Sequence, residues 1–171
     1  EFRAGRTAAR MGLEKLSLEP GPILMGRKRE PLWPEGCVGT ISHCGSHCLA
    51  AVAPAVEIRS LGADIELLGR VKPDLWPRIL VTAEKGYIAS LGRDDQVAAA
   101  TIIFSAKEAF FKLQYPLTGN WLEFLDAEVV LEPGNRFRIR VSKILPGLDP
   151  SASFTGSYAE WRGCGIALMS I

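Results

Sequence analysis

The feature that most constrains the fold is a long helix predicted over residues 96 to about 115, with groups of predicted strands on either side. Asp95 is predicted to cap this helix, and Pro116 to end it. Before it, we predict two short strands within residues 38–56 and a third over residues 58–66. The strands predicted after it cover residues 127–131, 137–141, 153–161 and 165–171. This order favours an α+β fold.

Two shorter helices are predicted from residue 2 to about 13 and from Thr82, as a possible cap, to residue 91. A proline- and glycine-rich passage over residues 20–36 is predicted as loop with short extended pieces. We place a boundary near residue 60, between a first half (1–60) and a second half (61–171).

The balance of basic and acidic residues argues against partners that bind through a strong electrostatic field of the whole protein. The chain has 20 basic and 19 acidic residues, so a nucleic-acid or membrane partner is not expected. No run approaches the roughly 18 apolar residues that a membrane span needs. Four cysteines in 171 residues are too few for a disulfide scaffold, which favours a reduced, cytoplasmic protein.

Two carboxylates lie at the end of a predicted strand, in the segment Gly62-Ala63-Asp64-Ile65-Glu66. Side chains alternate along a strand, so Asp64 and Glu66 share one face while Ile65 points to the other. Carboxylates this close repel each other unless a cation lies between them, and Mg2+ prefers such hard oxygen ligands. Taken alone, the triplet is also typical of a solvated strand end.

A second charged motif, Phe104-Ser105-Ala106-Lys107-Glu108-Ala109-Phe110-Phe111-Lys112, lies inside the long predicted helix. Glu108 and Lys112 are four residues apart and therefore share a face. On a wet surface such a pair contributes only about 0.3 kcal/mol. The large apolar residues beside these charges indicate a partly buried cleft instead.

A zinc site is an alternative reading of His43-Cys44-Gly45-Ser46-His47-Cys48, which holds four side chains of the types that bind Zn2+. Neighbouring residues of a strand-turn-strand point to opposite sides, so all four could converge only in a special loop. The competing reading is that the cysteines pack as small apolar side chains.

The two charged motifs together resemble the motif pair of the 4'-phosphopantetheinyl transferase superfamily, in its surfactin-type branch. Residues 29–36 and 39–44 resemble the loop and the Ser-His pair that precede the acidic motif there. Trp121-Leu122-Glu123-Phe124 fits the siderophore-synthase (enterobactin synthase) subgroup. The resemblance covers residues 2 to about 140. It implies two similar halves related by a pseudo-twofold, with coenzyme A bound between them.

The resemblance also implies the reaction. A member transfers the 4'-phosphopantetheine group of coenzyme A to a serine of an apo acyl- or peptidyl-carrier protein and releases 3',5'-bisphosphoadenosine. Asp64, Glu66 and Glu108 would bind the Mg2+ cofactor, and either Glu108 or Lys112 would accept the serine proton. Coenzyme A and the carrier protein are the implied partners of a monomer.

Further residues match positions that bind coenzyme A in the family. Lys107 and Lys112 would hold its phosphates, Ser42 and His43 the nucleotide phosphates, Arg29 the adenine end and Arg6 the 3'-phosphate. Relatives have some tens of residues upstream, so the first half is expected to be truncated or short. The alternative from another class is a carrier-binding domain that keeps the fold without catalysis.

Overall fold

The computed structural model describes residues 2–16, 21–149 and 153–171. Its helices are α1 (Phe2–Lys15), α2 (Trp76–Ile79), α3 (Thr82–Ala89) and α4 (Arg93–Thr118), with a 3-10 turn at Phe124–Asp126. Its strands are β1 (Leu24–Met25), β2 (Pro31–Leu32), β3 (Cys37–Cys44), β4 (His47–Pro54), β5 (Leu61–Leu67), β6 (Ala127–Glu132), β7 (Arg136–Val141), β8 (Phe154–Trp161) and β9 (Cys164–Ser170). The predicted α+β class is confirmed.

All strand pairs among the described residues are antiparallel. β1 pairs with β2 and β3 with β4, while the remaining strands form a five-stranded sheet in the order β5-β9-β8-β7-β6. α4 lies across this sheet, and the largest apolar core is at their interface, around Phe110, Leu113, Phe137 and Ile139. Strand β5 at the edge of the sheet therefore lies directly against the long helix.

The ends of the long helix differ from the prediction. It begins at Arg93, so Asp95 lies in its first turn, where a carboxylate interacts favourably with the helix dipole. Pro116 lies inside its last turn, and the helix ends instead at Gly119, whose φ of 66° is left-handed. Proline has no N–H, so the helix lacks the hydrogen bond that position 116 would donate to the carbonyl four residues earlier.

The predicted capping of the second helix is also corrected. Thr82 is its first helical residue rather than its cap. The backbone N–H of Val81, just before the helix, donates to the Glu84 carboxylate at 2.8 Å. A carboxylate at this position satisfies a donor that the helix itself leaves unpaired.

The two halves differ in size among the described residues. In the first, α1 buries Ala9 and Leu13 against the β3–β4 hairpin, and β1 and β2 form a separate short hairpin. The second contains the whole five-stranded sheet. The boundary near residue 60 falls between β4 and β5 and stays a prediction. None of the described helices is long and apolar enough to cross a membrane.

Candidate active site

A glycine sets the distance between β5 and α4. Gly62, Asp64 and Glu66 alternate along β5 on the face toward the helix. A Cβ built on Gly62 would lie 1.8 Å from the carbonyl oxygen of Ala109. Because only glycine fits there, the backbones approach closely, and Glu108 and Lys112, on either side of Ala109, lie close to the strand carboxylates.

Asp64 is held on one side only. The residue is 3% exposed, and its Oδ1 accepts hydrogen bonds from Ser42 Oγ and from Lys112 Nζ, each at 2.7 Å. Its Oδ2 is buried and has no hydrogen-bond partner among the described residues. A buried anionic oxygen without a partner is costly, so this atom is suited to a cation.

Glu66 is fixed at the other end of the same face. Its Oε2 accepts from Arg70 Nη1 at 3.2 Å and from Cys44 Sγ at 3.3 Å. Burial raises the pKa of the Cys44 thiol, and the neighbouring Glu66 carboxylate raises it further. The sulfur therefore carries its proton at neutral pH and donates it to the carboxylate.

Glu108 completes a group of three neighbouring carboxylates. Burial is the main cause of the raised pKa of Glu108, and the charges of Asp64 and Glu66 add to it, while Lys112 opposes it. Repulsion among carboxylates in a partly buried place is relieved either by a proton or by a cation. This group can therefore bind a divalent ion, or hold a proton at a higher pH than an ordinary carboxylate does.

The two lysines of the helix motif have different surroundings. Lys112 Nζ donates to Asp64 and, at 3.2 Å, to the carbonyl of Ala63. Lys107 lies elsewhere: it is 4% exposed, and its Nζ donates to Glu84 at 2.8 Å and to two backbone carbonyls, of Ile79 and Phe124. An ammonium has three protons, and all three are used here. The structure thus does not bring Lys107 to the three carboxylates, and its predicted contact with phosphate stays untested.

The Ser-His pair is split by the alternation of β3. Ser42 is buried toward β5 and donates to Asp64, whereas His43 is exposed on the other face. The hydroxyl of Ser42 therefore lies beside the Asp64 carboxylate, where β3 packs against β5. The prediction that both contact nucleotide phosphates stays untested.

A large cleft opens beside this group. Its volume is about 1080 Å³, and Arg29 and Lys112 both line it, together with Arg27, Lys28 and Arg59. Four aromatic residues also line this cleft, namely Trp33, Phe111, Tyr115 and Trp121. Lys28 crosses the opening, where its ammonium donates to the Tyr115 hydroxyl and lies 5.1 Å from that ring's centroid. A cleft with cations and aromatic rings suits a phosphorylated molecule that carries a base.

Arg6 lines a different depression. It is 7% exposed and lies on α1 with Arg3 and Arg10 around a pocket of about 460 Å³. Neither this arginine nor its neighbours on α1 line the large cleft. Its predicted contact with the 3'-phosphate stays untested.

The side chains of the alternative zinc site point in different directions. Cys44 faces Glu66, Cys48 Sγ lies 3.5 Å from the carbonyl of Ser42, and His47 packs edge-on against Trp161 at 5.3 Å. His43 is exposed. This hairpin gives the histidines and cysteines no common centre.

Four functional positions were missed by reasoning from the sequence. Gly62 allows β5 and α4 to approach closely, and Ser60 Oγ links the same two elements by donating to the Leu113 carbonyl at 2.6 Å. Glu84 accepts a hydrogen bond from Lys107. Cys44 donates one to Glu66. Of these four, only Gly62 carried a signal in the sequence, because it opens the segment that contains Asp64 and Glu66.

The donor set fits Mg2+ in kind. It offers carboxylate oxygens, and the buried Oδ2 of Asp64 has no partner in the part of the chain that the structure describes. In the present arrangement no three His, Cys, Asp or Glu side chains of the described ranges converge closely enough to hold a metal. The ammonium of Lys112 occupies one side of Asp64 here, so a bound ion would share that carboxylate with it.

Comparison with known families decides what kind of protein this is. The profile of the 4'-phosphopantetheinyl transferase N-terminal domain matches residues 1–53, and that of the 4'-phosphopantetheinyl transferase superfamily matches residues 60–161. The chain belongs to the 4'-phosphopantetheinyl transferase superfamily. The family predicted from the two charged motifs is confirmed.

Curated members of the superfamily match along much of the chain. 4'-Phosphopantetheinyl transferase Svp of Streptomyces mobaraensis is 41% identical over 100% of this chain and 71% of its own length. PptT of Mycobacterium tuberculosis is 38% identical over 77% of the chain, and enterobactin synthase component D of Escherichia coli K12 is 35% identical over 76%. The chain spans only 58% and 60% of the lengths of these last two relatives.

A solved structure supports the fold of the superfamily. The apo-ACPS structure from Chronobacterium ammoiniagenes superimposes with a TM-score of 0.50 over 63% of this chain and 91% of that one, at 15% identity. At this identity the likeness concerns the fold alone.

Proposed function

We propose that the chain transfers the 4'-phosphopantetheine group of coenzyme A to a serine of an apo acyl- or peptidyl-carrier protein, in a reaction that depends on Mg2+ and releases 3',5'-bisphosphoadenosine. The observation that carries the proposal is the buried Oδ2 of Asp64, which has no hydrogen-bond partner among the described residues. The other oxygen of this carboxylate is bound by Lys112, which lines the large cationic cleft, in a member of this superfamily. The names of its relatives support the transferred group.

Three carboxylates would hold the metal, namely Asp64, Glu66 and Glu108. When bound there, Mg2+ would supply positive charge that neutralises the pyrophosphate of coenzyme A as its bond to bisphosphoadenosine breaks. Lys112 adds a positive charge on the same side, because its ammonium lies between Asp64 and the cleft.

The bond changes are those of a phosphoryl transfer. The serine oxygen of the carrier protein forms a new bond to the β-phosphorus, and the bond from that phosphorus to bisphosphoadenosine breaks. The serine proton goes to Glu108 as a carboxylate, or to Lys112 in its neutral amine form. The raised pKa of Glu108 supports Glu108, since a carboxylate with such a pKa accepts protons nearer neutral pH.

The cationic loop of the first half would bind the nucleotide end. Arg29, whose φ of 69° is left-handed, lies in the tight connection between β1 and β2, where Gly26 N donates to Glu30 O at 2.8 Å. This turn presents Arg27, Lys28 and Arg29 together at the cleft. Phosphate groups are well matched by several cations on one turn.

The test is mass spectrometry of apo carrier proteins incubated with coenzyme A, Mg2+ and the chain. We expect a mass increase of one phosphopantetheine group, lost with EDTA and at least about 10²-fold slower in Asp64→Ala, as for the loss of a major electrostatic stabiliser. Asp74→Ala, which removes an exposed carboxylate outside the site, is the matched control. Binding of the carrier without any mass increase would favour the carrier-binding domain, and normal turnover of Asp64→Ala at limiting Mg2+ would refute the metal assignment.

A further inference from the structure

Cys44 makes polar contacts that a packing cysteine does not need. It is 1% exposed at the end of β3, and its Sγ lies 3.3 Å from Glu66 Oε2. The same sulfur accepts from the backbone N–H of Leu67 at 3.1 Å and lies 3.7 Å from Arg70 Nη1. With the acceptor side of the sulfur used by Leu67, the S–H is left to donate to the carboxylate.

These contacts belong to a repeated pattern along β3. Thr40, Ser42 and Cys44 alternate along the strand, and each side chain bonds to β5. Thr40 Oγ1 accepts from Ala63 N at 3.2 Å, and Ser42 Oγ donates to Asp64 Oδ1 at 2.7 Å. β3 and β5 belong to different sheets, so side chains rather than a backbone ladder carry the polar link between them.

A second buried cysteine shows what packing alone looks like. Cys164 is 0% exposed and belongs to the same small apolar cluster as Cys44 and Ile65. Within the described residues, its sulfur makes no hydrogen bond. The two thiols therefore share their burial and differ in whether they contact a carboxylate.

We propose that Cys44 is a positioning residue that orients the Glu66 carboxylate for divalent-cation binding, as Ser42 does for Asp64. One oxygen of Asp64 is then held by the neutral donor Ser42 and by the cation Lys112. One oxygen of Glu66 is held in the same way by Cys44 and Arg70. Outer partners of this kind fix the direction in which a ligand oxygen points and commonly change metal affinity 10- to 100-fold. The inference rests on the proposed function, because that function assigns the metal to this site.

The experiment uses Mn2+ as the probe, titrated into the protein with saturating coenzyme A and followed by the electron paramagnetic resonance of free Mn2+. Because a thiol is a weak donor, we expect Cys44→Ala to weaken Mn2+ binding about 10-fold, at the low end for such partners. Cys44→Ser keeps a hydroxyl donor and should recover most of the affinity. Cys164→Ala removes a sulfur from the same cluster and should leave Mn2+ affinity unchanged.

Two further measurements separate positioning from folding. Thermal unfolding of each variant shows whether it is folded. If Cys44→Ala does not fold, Cys44→Val takes its place, because valine fills the space of the cysteine without providing a hydrogen-bond donor. At saturating Mg2+, the KM for coenzyme A should stay near that of the wild type in all folded variants, since Cys44 does not line the cleft.

The outcomes distinguish this inference from the proposed function. Wild-type affinity in folded Cys44→Ala or Cys44→Val, or an equal loss in Cys164→Ala, overturns the role of Cys44 while transfer and its metal dependence stand. If the wild-type protein binds no Mn2+, both the metal assignment and the positioning role are wrong.

Discussion

Replacing Gly62 with alanine should separate the helix from the strand that it packs on. The new Cβ would lie 1.8 Å from Ala109 O, 2.8 Å from Ala109 C and 2.9 Å from Leu113 Cβ. The first two atoms belong to the helix backbone, which cannot rotate away as a side chain can. About 1.6 Å must be gained before the Cβ and the oxygen reach ordinary van der Waals contact.

The size of the effect follows from this displacement. Overpacking of a core usually costs 1–3 kcal/mol, and a clash with backbone should lie at the upper end, at about 3 kcal/mol. For a chain of this length that loss lowers the melting temperature by about 6–12 °C. Lys112 and Glu108 would move away from Asp64 with the helix, and a misplacement of about 1 Å can slow a reaction 10²-fold.

Gly86→Ala is the matched control, because Gly86 lies on an exposed face of α3 and a Cβ there meets no atom within 4 Å. This change should raise the free energy of unfolding by about 0.5–1 kcal/mol, through the higher helix propensity of alanine. Urea unfolding and the rate of phosphopantetheine transfer measure the two variants. If Gly62→Ala were as stable and as active as the wild type, the close approach of β5 and α4 would not be what places the site.

Other variants separate the remaining roles. Lys107→Met leaves the Glu84 carboxylate buried without its cation, so the free energy of unfolding should fall by about 3 kcal/mol and recover in part when Glu84→Gln is added; an unchanged urea midpoint would contradict this. Arg29→Ala should raise the KM for coenzyme A about 10-fold at unchanged kcat, because a charge-assisted contact remote from the reacting phosphate is lost. Lys112→Ala should instead lower kcat, and one titration of coenzyme A with each variant shows whether the roles divide in this way. Burial raises the pKa of Glu108 above its ordinary 4.5, so the stability that Glu108 contributes to the metal-free protein is fully present below pH 4.5 and is lost as pH rises through the raised pKa. In EDTA, Glu108→Gln should flatten this pH dependence of urea unfolding, and an equally steep dependence would show that another group titrates.

The sequence alone determined which residues could share a face. Period-two alternation places Asp64 and Glu66 together, and helical spacing places Glu108 with Lys112. The order of strands and helices predicted the α+β class. These properties depend only on local backbone geometry, so they can be read without knowing what packs against each element.

Only the tertiary structure decided which face meets which partner. Lys107 and Glu108 are adjacent in one motif, yet successive helical residues point about 100° apart. The packing of α4 on β5 turns Glu108 to the carboxylates and leaves Lys107 with Glu84, which comes from a different helix. No local pattern predicts a partner that lies 23 residues away on an element of its own.

The same reason divides the Ser-His pair. Alternation requires Ser42 and His43 to face opposite sides of β3, but which of them meets β5 depends on how two sheets pack. That packing also turns Cys44 from one of four zinc-type side chains into a donor for Glu66. The motifs gave the chemical groups of this site, and contacts between strands and helices far apart in sequence assigned each group its partner.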